Sequence, residues 1–117
     1  MRLFFYILNQ TEYLDQIMTE FARRGIKGAT IIESTGMARV LSHKHDEDEL
    51  PFLASLRKFL NPERESSNII FTIIEDNLLS TAVDIIESVV GDLSRKNNGI
   101  VFSFPVDYTK GIVSNEK

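Results

Sequence analysis

The chain contains no cysteine. That absence removes disulfides, thiolate nucleophiles and cysteine-based zinc sites together, and it suits a reducing compartment. Positive charge is also scarce: 13 Lys and Arg stand against 17 Asp and Glu, a net charge of −4. Such a balance gives no general attraction to nucleic acid or to an anionic membrane. Arg57, Lys58 and Arg64 are too few to make a nucleic-acid surface, and no aromatic pair flanked by basic residues marks an RNA-binding strand. The apolar run in MRLFFYILNQ is too short for a membrane span and is followed by no small-residue cleavage site, so it reads as a strand. There is no Walker loop and no nucleophile elbow, and neither His43 nor His45 stands in a recognisable Ser or Asp constellation. These absences predict a cytoplasmic protein that is not an enzyme, does not bind nucleic acid and does not insert into a membrane.

What is present is the composition of an ordinary globular domain, 43% hydrophobic and 26% charged over 117 residues. Residues 3–8 are apolar at every position and predict a strand buried on both faces. Asn9 with Glu12 three residues on resembles a capping box. Leu14, Ile17, Met18, Phe21 and Ala22 then follow helical spacing. Arg23 and Arg24 suit the end of that helix, and Gly25 terminates it. Gly28 marks a second turn before a strand over 29–34. Residues 68–75 predict a third strand. Asp76 is the expected cap of a helix whose apolar stripe runs from Leu78 to Val90, with Gly91 ending it. Asn97, Asn98 and Gly99 form a polar turn before a last strand over 100–106, where Pro105 marks a strand end or a sheet edge. Residues 108–117 read as a polar tail.

Residues 36–67 break this rhythm. They read as a long connection between strands 2 and 3, with an embedded short helix carrying Phe52, Leu53, Leu56, Phe59 and Leu60. A connection of that length is a candidate functional loop. The element order is βαββαβ, an α+β ferredoxin-like sandwich in one domain over residues 1–117. Two right-handed crossovers place both main helices on one face of the sheet.

Two helices cover only one face, so the strands of a monomer should alternate apolar and polar. They do not: strands 1, 3 and 4 carry large apolar groups on both faces. The expected cover for the second face is another subunit. The alternative is the helix with Phe52, Leu56 and Phe59 from the same chain.

The sequence GIKGATIIESTGMAR, with Gly25, Gly28, Thr30, Gly36 and Arg39, resembles the G-x-x-G-x-T strand and G-x-G-R loop entrance of the P-II nitrogen-regulatory proteins. Asn98-Gly99-Ile100-Val101-Phe102 followed by Pro105-Val106 resembles the later nucleotide-contacting loop of that family. The resemblance runs through Val106. It implies a homotrimer that binds a small-molecule effector, an adenine nucleotide being the usual one, in clefts between subunits. It further implies that residues 36–67 meet an unknown target protein, a switch for signal transduction in nitrogen regulation. The ligand-binding positions it implies are Thr30, Gly36, Met37, Ala38, Arg39, Asn98 and Gly99.

The chain departs from the family pattern. Ala38 replaces the second glycine of the loop entrance, Val40 replaces a glutamine, and Ile100 replaces a phosphate-contacting lysine. Asn97-Asn98 replaces a Gly-Asp pair. No tyrosine lies in residues 36–67, and only Lys110 remains of the C-terminal basic stretch. These departures point to a divergent PII-like protein with another ligand, or none.

Two other readings stay open. His43-Lys44-His45-Asp46 and the acidic residues after it have the ligand types of a transition-metal site, as in a trimeric copper-tolerance-like protein on this fold. The same segment also reads as a mobile charged loop. The ferredoxin-like scaffold hosts small hydrolases as well, and fold alone does not choose among these.

Overall fold

The computed structural model describes residues 1–37, 40–41 and 66–112. Its strands are β1 (Arg2–Leu8), β2 (Thr30–Ser34), β3 (Ser67–Ile74) and β4 (Ile100–Pro105), and its helices are α1 (Leu14–Arg23) and α2 (Leu79–Val90). The strands form one antiparallel sheet in the order β2-β3-β1-β4. The described residues are thus α+β, with these four strands in one antiparallel sheet and these two helices, an arrangement compatible with a ferredoxin-like fold. Pro105 closes β4, which is an edge strand, so its missing N–H falls where a ladder can tolerate it.

Both helices share one face of the sheet. Phe4, Tyr6 and Leu8 of β1 and Ile70 and Ile74 of β3 are buried there against Ile17 and Phe21 of α1 and Ala82, Ile85 and Ile86 of α2. Phe4 meets Phe21 edge-on at 6.2 Å between ring centres, a favoured aromatic geometry. Strand period two therefore puts Leu3, Phe5 and Ile7 on the opposite face. Only alternate residues of β1 are fully buried, not the whole run. The reason is that the two helices named above cover one face of the sheet.

The helix starts differ from the predicted caps. Each helix is preceded by a 3-10 turn, Thr11–Tyr13 before α1 and Asp76–Leu78 before α2, and no side-chain cap hydrogen bond is made at the cap positions of either helix or either turn. Asn9 Oδ1 accepts from Ser67 Oγ at 2.9 Å, tying the end of β1 to the start of β3. Asp76 stands 3.5 Å from the Met1 ammonium. The α1 terminus follows the expected pattern. Gly25 adopts φ +98, and Ile26 N–H donates to Phe21 O at 2.8 Å while Ile26 itself enters the core. That is a Schellman ending with its apolar contact, and only glycine takes such a φ without strain.

The second face is apolar and, among the described residues, open. Phe5 lies between Phe71 and Phe102, with ring centres at 5.9 and 4.7 Å and near-parallel planes. Around this row Ile32, Ile73, Ile100 and Phe104 are between 38% and 60% exposed. Phe52, Leu56 and Phe59 lie outside the described residues, as does the embedded helix expected in the connection. Where the connection begins, Met37, Val40 and Leu41 are helical, and Val40 N–H donates to Gly36 O at 3.1 Å.

Candidate functional site

The strand registers decide which candidate residues can meet. Ser34 pairs with Ser67, and Ile7 pairs with both Ile69 and Ile100. Gly36 and Met37 after β2, and Asn98 and Gly99 before β4, therefore lie at the same end of the sheet. They lie on opposite edges, however, three strand spacings or about 14 Å apart. Thr30 is separated from Ser34 by the length of β2, about 13 Å at the usual rise. One subunit does not gather these positions into a single site. Ala38, Arg39, His43 and His45 lie outside the described residues. Among the described residues no group of three or more His, Asp or Glu side chains stands ready to hold a metal ion.

Asn98 and Gly99 have a structural role in the chain itself. Asn98 is buried; its Nδ2 donates to Asp92 O at 2.6 Å, and its carbonyl accepts from Tyr6 Oη at 2.6 Å. The loop between α2 and β4 is thereby fastened to the middle of β1. Asp92 Oδ1 accepts from Ser94 N–H at 2.9 Å, and this bonding holds its carboxyl below the ordinary range. Gly99 has φ +100, and a Cβ there would come within 2.2 Å of Ile7 O and 2.6 Å of the Tyr6 ring. No other residue type fits that approach. In the sequence Tyr6 is one position of the apolar run 3–8 and carries no signal of its own. Its position on the helix-covered face carried the missing signal, because a buried phenol needs a partner for its hydroxyl.

Thr30 belongs to a different feature, a missing corner of the sheet. β2 pairs with β3 only from Ser67 to Phe71, so residues 72–74 of β3 have no β2 partner. The turn after α1 passes here instead, and Thr72 Oγ1 donates to Gly28 O to hold it. This corner is a cavity of about 1220 Å³. Its polar lining includes Lys27, Thr30, Thr72 and Glu75, and its apolar lining includes Phe71, Ile74 and Leu78. A concave site of mixed walls with a few placed polar groups is the usual form of a small-molecule site. Of the residues expected from sequence only Thr30 lines it. Lys27, Thr72 and Glu75 carried no sequence signal, since the start of β2 leaves 72–74 unpaired only once the register with β3 is set.

No helix among the described residues is long and apolar enough to cross a membrane. No family model matches the chain, and no curated protein matches it.

Proposed function

We propose that the chain is a PII-like signalling protein of ferredoxin-like fold. It assembles as a homotrimer, takes a small effector between subunits, and acts on a partner protein through residues 36–67. The observation that carries this reading is the open face with its Phe71-Phe5-Phe102 row. A contiguous apolar surface of that kind calls for a protein cover, and packing sheet against sheet between copies provides it. The scattered candidate residues support the same conclusion. Thr30 with the corner cavity lies away from the Gly36 and Gly99 end, so a site using all of them needs a second subunit.

An adenine nucleotide is the first ligand to try, since the resemblance at Thr30, Gly36, Arg39 and Gly99 implies one. The test is sedimentation velocity together with calorimetric titration of ATP. A concentration-independent trimer binding about one ATP per subunit is the expected result. Arg39→Ala should then weaken binding by about 1.5–3 kcal/mol, the range for a hydrogen bond to a charged group. A monomer at all concentrations would overturn the assembly. A trimer stabilised by divalent metal and indifferent to ATP would transfer the function to His43 and His45.

A further inference from the structure

The C-terminal segment after β4 does not stay beside β4. Val106 N–H donates to Met1 O at 3.1 Å, and Thr109 Oγ1 reaches Met1 Sδ at 3.9 Å. Met1 precedes β1, the strand next to β4. From there the segment continues to the missing corner beside β3, where Thr109 and Ile112 form part of the cavity wall together with Met1, Ile74 and Leu78. It thus crosses the end of the sheet from one edge toward the other. Seven extended residues reach about 23 Å, ample for a sheet about 14 Å wide.

The hold on this segment is slight. Among the described residues one backbone hydrogen bond anchors its root, and the next attachment is a hydroxyl to a thioether, a weak acceptor. Tyr108 is 76% exposed and Ile112 is 45% exposed although Ile112 lines the cavity. Segments with few buried contacts and few backbone bonds open at low free-energy cost. Both anchors fall on Met1, itself a cavity-wall residue, so whatever moves Met1 also loosens the segment.

We infer that residues 106–112 are a strap that closes the corner cavity and opens to admit a ligand, with Met1 as its catch. This rests on reading the cavity as part of the ligand site, but its test needs no ligand. The chain has no cysteine, so a single Leu78→Cys reporter in the cavity wall can be labelled with Ellman's reagent. Ending the chain at Val106 should speed labelling about tenfold, the effect of removing one decade from an opening equilibrium. Ile112→Asp, which leaves the rest of the chain intact, should speed it in the same direction if the truncated chain folds poorly. A Leu93→Cys reporter in the loop between α2 and β4 should label at the same rate with and without the strap. Equal Leu78→Cys rates in the full-length, truncated and Ile112→Asp proteins would overturn the strap, even where ATP binds. Faster labelling would support it, even where ATP does not bind.

Discussion

The two faces of the sheet are built from the same strands and from similar residues, yet they stand in different surroundings. On one face Phe4, Tyr6 and Leu8 are fully buried under two helices. On the other, Phe5 and its stacked neighbours are bordered by Ile100 at 60% and Phe104 at 47% exposure. In β1 the two sets alternate residue by residue. Hydrophobicity therefore does not distinguish a buried position from an open one in these strands; the layer of helices does. The covered face accounts for the fold of one subunit, and the open face carries the case for more than one.

The largest expected effect is on the covered face. Phe4→Ala removes a fully buried ring and should cost about 3–5 kcal/mol in denaturant unfolding. A cost near that of a surface change would mean that this face is not the core. Next comes Gly99→Ala, which forces a methyl group into Ile7 O and the Tyr6 ring at positive φ. Overpacking and backbone strain together should cost at least about 2 kcal/mol, read from the denaturation midpoint.

Tyr6→Phe should cost about 1–2 kcal/mol, because the Asn98 carbonyl loses its donor. It also has a pH signature. Burial pushes the Tyr6 hydroxyl well above its ordinary value of 10.0, so the folded state keeps a proton that the unfolded chain releases. The contribution is fully present below about pH 10 and falls as pH rises from there toward the folded-state value. Denaturant midpoints from pH 8 to 11 should decline in the wild type and decline less in Tyr6→Phe. Parallel curves would show that another group controls the alkaline limb.

The smallest expected effect on the stability of the separated subunit is at Phe102, on the open face. Phe102→Asp should change it by no more than about 1 kcal/mol, as for an exposed site. The same substitution should abolish association in sedimentation velocity. An unchanged assembly would remove the contrast between the faces as an account of the second one.

The element pattern was legible because local signals agreed with each other. β1, β3 and β4 are marked by apolar runs, and Gly25 and Gly91 end the helices as their positions suggest. The caps were less legible. Asn9 was expected to begin a helix; the cap falls at Gln10, and Asn9 also bonds Ser67, a residue 58 positions away. The candidate site was the least legible. Asn98 and Gly99 drew attention as ligand residues, but the Asn98 amide is engaged by Asp92 O and the glycine at 99 is required by Ile7 O and the Tyr6 ring. The corner cavity had no sequence signature because it depends on the register that sets the start of β2 beside the longer β3.

By itself the sequence determined the kinds of element, their order and the apolar character of both strand faces, since these follow from residue type at fixed short spacing. Only the tertiary structure decided the pairings across distance. Tyr6 meets Asn98 over 92 positions, Thr72 holds Gly28 over 44, and Thr109 reaches Met1 over 108. Such contacts are set by strand register and by which layer covers which face, and those depend on the whole chain packing at once.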